Sequence, residues 1–116
     1  DFYITSFCPL GFIRKSEKGN WVNCNYYDYN DLYEAVSAFM LSSLKEQVRF
    51  GIDRKKCYVL GKKNAKFFTE VNKREKIFDS ITVLEHPRYI VQYRSKLLDQ
   101  YISAYLEKLS PKPLNL

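Results

Sequence analysis

Apolar residues in this chain form two kinds of pattern, short unbroken runs and longer stretches that recur every three or four positions, and the two kinds alternate. Phe2 to Ser6 is aromatic and β-branched and runs into Cys8-Pro9-Leu10-Gly11, whose Pro and Gly stop any ladder, so a buried strand is expected near 2–6. Phe12-Ile13, the polar run Lys15 to Asn20 and Trp21-Val22 have the form of a small hairpin or an extended loop with a polar turn. Leu32, Val36, Phe39, Met40, Leu44 and Val48 recur at helical spacing and predict a long helix near 30–50, capped by Asp28 or Asn30 and stopped by Gly51. Cys57 to Leu60 and Ile81 to Leu84 are apolar runs too short for helices and read as buried strands. Between them Gly61 opens a helix near 62–74 with Ala65, Phe68 and Val71 on one face. Leu97, Leu98, Tyr101, Ile102, Tyr105, Leu106 and Leu109 mark a last helix near 95–109, capped by Ser95 and broken by Ser110-Pro-Lys-Pro113.

Strands of continuous apolar character alternating with helices imply an α/β three-layer sandwich with a central parallel sheet covered on both faces. About three strands are available, a thin sheet. The 116 residues suit one domain, read as 1–109 with a tail at 110–116. Because Asp1 is not an initiator Met and the first residues already look like a strand, the expectation is the C-terminal part of a longer domain. In open parallel sheets the ligand crevice lies beyond the carboxyl ends of the strands. Those ends are Ser6 to Gly11, Gly61 to Asn64 and His86 to Tyr89, and the three segments are expected to meet on one edge.

Composition narrows the class. With 46% hydrophobic and 28% charged residues, 4 Gly, 4 Pro and no low-complexity tract, disordered and fibrous architectures are excluded. No apolar run reaches the roughly 18 residues of a membrane span and no signal peptide opens the chain, so no membrane partner is expected. Cys8, Cys24 and Cys57 show no CxxC pair and no neighbouring histidine that would make a metal site, and they read as reduced thiols of a cytoplasmic, intracellular protein. The net charge of +6 favours a polyanionic partner, and residues 62 to 76 concentrate it through Lys62, Lys63, Lys66, Lys73, Arg74 and Lys76 against Glu70 and Glu75.

Candidate chemistry clusters at the same strand ends. His86, the sole histidine, can donate a hydrogen bond to a developing oxyanion, and when neutral it does so without adding charge. As a loop residue packed by Pro87 it would do nothing of the kind. Arg88 to Arg94 interleaves bases with Tyr89 and Tyr93, the mixture that holds phosphates and wedges a base stack, although taken alone it reads more readily as a half-buried connector. Backbone N–H groups at the helix start, with Lys62 and Lys63 beside them, are a candidate phosphate seat, although no Gly-rich run makes it a P-loop and a basic run on an exposed helix is more often a solvated face. Asn23 and Asn25 can read a nucleobase edge, with Tyr26, Tyr27, Tyr29 and Tyr33 nearby to stack or to pack. No carboxylate pair and no nucleophile with a partnered base stands out.

Taken in order, Phe7-Cys8-Pro9-Leu10-x-Phe12, Gly19-Asn20-Trp-Val-Asn23, Val59-Leu-Gly61-Lys62 and Leu84-Glu-His86-Pro87-Arg88 resemble the second half of the uracil-DNA glycosylase superfamily. The likeness is to the single-strand-selective monofunctional branch and its bacterial relatives, and it spans residues 2 to about 106. It implies a DNA-repair enzyme that flips uracil or a related damaged base out of DNA and hydrolyses its N-glycosidic bond with water, without metal, cofactor or covalent intermediate. By this resemblance His86 steadies the leaving uracil anion at O2, Pro87, Arg88 and Tyr89 form the loop that enters the duplex, and Gly61-Lys62 contacts the DNA backbone; Lys63 and Arg94 are DNA-binding candidates by their charge and position alone.

Two positions depart from the family pattern. Ser6 stands where an asparagine usually reads the uracil edge, so base recognition falls to Ser6, Cys8 and Pro9 with backbone groups, or to Asn23 or Asn25, or the base specificity differs. After His86-Pro87 the residues are Arg-Tyr-Ile and not the usual Ser-Pro-containing loop. The resemblance also places the water-positioning motif in an N-terminal remainder of the same domain, a required partner. A nucleic-acid-binding module of the same fold without catalysis is the competing reading.

Overall fold

The computed structural model describes residues 2–110, so most of the expected 110–116 tail lies outside the described residues. A hairpin comes first: β1 (Phe12–Lys15) pairs antiparallel with β2 (Trp21–Cys24), with Phe12 opposite Cys24 and Lys15 opposite Trp21. Gly19, at φ +82°, serves the polar turn, where its N–H donates to Ser16 O at 2.9 Å. Next comes α1 (Asn30–Arg49), followed by β3 (Lys56–Leu60), α2 (Lys62–Glu75) and β4 (Ser80–Leu84). Strands β3 and β4 pair in parallel, Cys57 beside Ile81 and Val59 beside Val83, with α2 as the crossover. Two further helices close the chain, α3 (Pro87–Tyr93) and, after a short 3-10 turn at Ser95–Leu97, α4 (Leu98–Leu109).

Side-chain alternation along the two parallel strands sets the layers. Val59 joins Leu44 of α1 and Ala65 and Phe68 of α2 in one buried cluster with Ile77 and Phe78, against which Cys57, Ile81 and Val83 pack. Tyr58 and Leu84 face the other way and meet α4: the Tyr58 hydroxyl reaches Lys108 O at 3.4 Å, and Leu84 lines a cleft with Tyr101 and Tyr105. The order of layers is helix, sheet, helix, which is the expected α/β sandwich. No helix among the described residues is long and apolar enough to cross a membrane.

Three expectations need correction. Residues 2–6 form no strand, and the parallel sheet has two strands among the described residues, not about three. Composition makes that segment strand-like, but a strand exists only where a neighbour completes its ladder, and Phe2 and Ile4 stand 74% and 86% exposed. The N-cap of α1 is Tyr29, in extended conformation and without a side-chain cap. Asp28 is engaged elsewhere, its Oδ2 accepting the Asn25 N–H at 2.7 Å. Ser95 does not cap the last helix either, because it opens the 3-10 turn and its carbonyl accepts the Leu98 N–H, leaving Leu97 at the N-cap.

The turn from α2 into β4 is held by one side chain. Asn72 Oδ1 accepts the N–H groups of Ile77 (3.1 Å) and Phe78 (2.8 Å), while its Nδ2 donates to Phe78 O at 3.0 Å. Arg54, just before β3, donates to Ile77 O at 2.7 Å and so ties the same turn to the neighbouring strand's start. These contacts fix where β4 begins and therefore where it ends.

Candidate active site

The carboxyl ends of β3 and β4 open side by side, and the chain leaves them through Gly61 and His86. Gly61 is the N-cap of α2 with φ +92° and ψ 140°, a region open essentially to glycine. This backbone lets its N–H turn back to Leu84 O at 2.8 Å, binding the start of α2 to the end of β4. His86 follows two residues later. A Cβ on Gly61 would stand 3.6 Å from His86 Cβ and 3.9 Å from Cδ2, so the imidazole lies over the glycine at van der Waals range.

His86 is the N-cap of α3 and Pro87 its first residue, the position a helix start offers to proline because no N–H is needed there. The imidazole Nδ1 accepts the Arg88 N–H at 3.1 Å. An accepting ring nitrogen carries no proton, so in the neutral imidazole this contact places the proton on Nε2. The ring is exposed, and Nε2–H is left as an outward donor. Such a donor suits an oxygen on which negative charge develops.

Around this corner the other predicted residues are distributed unevenly. Phe7 connects its loop to α2, with its ring edge-on to Tyr26 at 5.7 Å and to Phe68 at 5.1 Å. Buried Tyr26 donates from its hydroxyl to Asn64 Oδ1, in the first turn of α2. Burial and the neighbouring Tyr27, Cys8 and Tyr33 push that phenol well above the usual tyrosine range, so it stays a protonated donor. The segment after residue 6 and the start of α2 are thus packed together, as expected for one sheet edge. Ser6 and Pro9 are exposed there, and Cys8 is half-buried with its thiol 3.7 Å from Leu10 O.

Asn23 lies on an exposed face of the hairpin opposite Ile13, and Asn25 is exposed with its N–H held by Asp28. Among the described residues no side-chain hydrogen bond joins either asparagine to the Gly61–His86 corner.

Basic groups surround the edge. Lys63 Nζ sits 5.7 Å above the Tyr27 ring, and Lys62 Nζ is 3.8 Å from Glu85 Oε2. Farther along α2, Glu70 and Glu75 pair with Lys73 and Arg74, leaving Lys63 and Lys66 without an ion pair among the described residues. Arg88 is exposed on α3, lining an open depression with Pro87, Val91 and Gln92. Arg94 instead folds over the Tyr89 ring at 5.6 Å, and Tyr89 leans on Tyr93. The sequence named Tyr89 and Tyr93 and read 88–94 as a base-wedging segment or a half-buried connector, and the helix there is what it did not show. The His-Pro pair was the available signal, since an N-cap followed by proline starts helices.

A parallel sheet edge carrying an exposed imidazole, a glycine-started helix and lysines without an ion pair among the described residues defines an α/β protein whose polar groups gather beyond its strand ends. The chain belongs to the uracil DNA glycosylase superfamily, whose family model matches residues 1–110. It is similar to the crystal structure of wild-type Pedobacter heparinus SMUG2, with a TM-score of 0.86 and 42% identity over 92% of this chain. The match takes in 46% of that protein, so the chain spans about half its length. No curated protein sequence matches.

Proposed function

We propose that this chain forms the leaving-group side of a DNA glycosylase that acts on uracil or a related damaged base, complete together with an N-terminal remainder of the domain. Family membership and the likeness to SMUG2 support the class of reaction. The observation that carries the reading is the hydrogen bond from the Arg88 N–H to His86 Nδ1, which leaves Nε2 of the exposed ring as its free nitrogen.

In this reading the target nucleotide is turned out of the stack toward the sheet edge, with Pro87, Arg88 and Tyr89 entering the space it leaves. The bond between C1′ and uracil N1 breaks with its electron pair on the base, and the charge spreads to O2. Nε2–H of His86 donates to that oxygen, water adds to C1′ and gives up a proton, and a proton from solvent neutralises the uracil anion, leaving free uracil and an abasic deoxyribose. A neutral imidazole meets this charge only as it forms, so it lowers the barrier more than it tightens substrate binding. Lys62, Lys63 and the start of α2 hold phosphates, and Ser6, Cys8 and Pro9 lie beside the base.

The test is single-turnover excision from a uracil-containing oligonucleotide by the intact protein and its His86→Ala variant. A well-placed oxyanion donor contributes about 10²- to 10³-fold, and the variant is expected to be slower by that order. Its affinity for the same DNA should change little. Equal rates would remove His86 from the mechanism, and an intact protein that binds DNA but excises no base would replace the reading with a non-catalytic binding module.

A further inference from the structure

Where the ladder of β4 runs out, three successive carbonyls need new donors, and each has one. Lys108 Nζ donates to Val83 O at 3.0 Å, Gly61 N to Leu84 O at 2.8 Å, and the Tyr105 hydroxyl to Glu85 O. Two of the three donors come from α4, on the layer opposite α2. That helix is itself tied to the sheet through the Tyr58 hydroxyl and Lys108 O.

The Glu85 carbonyl belongs to the peptide that ends at His86. Because a peptide is planar, holding its oxygen fixes the plane that carries the His86 N and Cα. Downstream the Ile90 N–H donates to His86 O at 3.2 Å, and the ring itself is held at Nδ1. The residue is therefore constrained on three sides, and only the upstream hold comes from a distant part of the chain.

We propose that Tyr105 is a positioning residue for His86, and that α4 acts as a clamp whose hydroxyl sets the direction of the imidazole Nε2–H. The assignment rests on the glycosylase reading for its consequence in rate, and on the hydrogen-bond geometry alone for its consequence in structure. Tyr105 suits the task. Burial, with the nearby Glu85 carboxylate, pushes its phenol up and keeps it a donor. Lys62, beside Glu85 at 3.8 Å, is largely exposed and adds little. Between the end of β4 and α4 a cleft of about 270 Å³ leaves room for the β4 end to shift if the hydroxyl is lost.

Misplacement of a reacting group by about 1 Å costs on the order of 10²-fold, and a loosened stem shifts it by less. In the intact protein Tyr105→Phe is therefore expected to slow single-turnover uracil excision about tenfold, with unchanged affinity for uracil-containing DNA. A double-mutant comparison separates positioning from general damage. If Tyr105 acts through His86, adding Tyr105→Phe to His86→Ala changes the rate by less than about twofold, whereas a merely structural loss slows both backgrounds alike. A wild-type rate in Tyr105→Phe, or equal slowing of both backgrounds, overturns the assignment.

A second readout does not depend on excision. In proton–nitrogen correlation spectra of the intact protein, the His86 ring signals, assigned by their loss in His86→Ala, should show a single tautomer protonated at Nε2. Tyr105→Phe should give averaged ring shifts, and unchanged shifts overturn the clamp. Should the wild type excise no base, the glycosylase reading fails while these spectra still decide the clamp. If Tyr105→Phe does not fold, Lys108→Met removes the neighbouring exposed anchor and is read by the same two measurements.

Discussion

Gly61 and His86, the first residues beyond β3 and near the end of β4, lie in van der Waals range: a Cβ on the glycine would be 3.6 Å from that of the histidine. There is space for a methyl, so the cost of Gly61→Ala comes from the backbone, whose φ of +92° an L-residue adopts only under strain. That strain is about 1–3 kcal/mol. Relieving it means rotating Gly61 and breaking its hydrogen bond to Leu84 O, which also carries the His86 stem. Gly61→Ala is expected to lower the urea midpoint of the intact protein by a corresponding amount and to slow uracil excision. Wild-type values for both would show that the turn tolerates a side chain.

Asn72 gives a purely structural prediction. Its amide satisfies the N–H groups of Ile77 and Phe78 and the Phe78 carbonyl, beside two buried side chains. Asn72→Leu leaves those backbone groups unpaired, each costing about 1–3 kcal/mol when water cannot reach it. A loss of about 2–4 kcal/mol is expected, read as a lower urea midpoint at unchanged slope. Asn72→Asp keeps the acceptor and should fall between.

For DNA binding, the ion pairs rank the lysines. Lys62 has Glu85 3.8 Å away, whereas Lys63 sits over the Tyr27 ring with no ion pair among the described residues. Affinity of the intact protein for DNA should fall steeply with salt, and Lys63→Ala should lower the slope of log K against log salt by about 1, independent of sequence. Lys62→Ala should do less. An unchanged salt slope in Lys63→Ala would take that residue off the phosphate path.

The legible parts of the chain were those decided by local pattern. Val59 and Val83 lie in uninterrupted apolar runs, Leu44 and Phe68 recur at helical spacing, and these residues form the core and the parallel pair. Once two parallel strands are placed, their exits are neighbours, so the meeting of Gly61 with His86 followed from the sequence. Residues 2–6 show the limit, because strand composition cannot supply a pairing partner. Helix α3 has seven residues, too few for periodicity to register. The Tyr105 to Glu85 hydrogen bond spans 20 positions and has no local signature at all.

Alkaline stability tests the buried titratable groups. Burial pushes the Cys57 thiol up from 9.0 to about 11, and the Tyr26 phenol is raised for the same first reason. In the unfolded chain both titrate at ordinary values. As pH rises past 9 the unfolded state loses the Cys57 proton while the folded state keeps it, so folding stability declines with pH. The urea midpoint is expected to hold up to about pH 9 and to fall between 9 and 11, with Tyr26 adding to the fall at the upper end. Cys57→Val should remove part of that slope. The same burial predicts slow alkylation of Cys57 in the folded protein at neutral pH, because the thiolate is the reactive form. A slope identical in wild type and Cys57→Val, together with rapid alkylation, would mean that the β3 face carrying Cys57 is open to water.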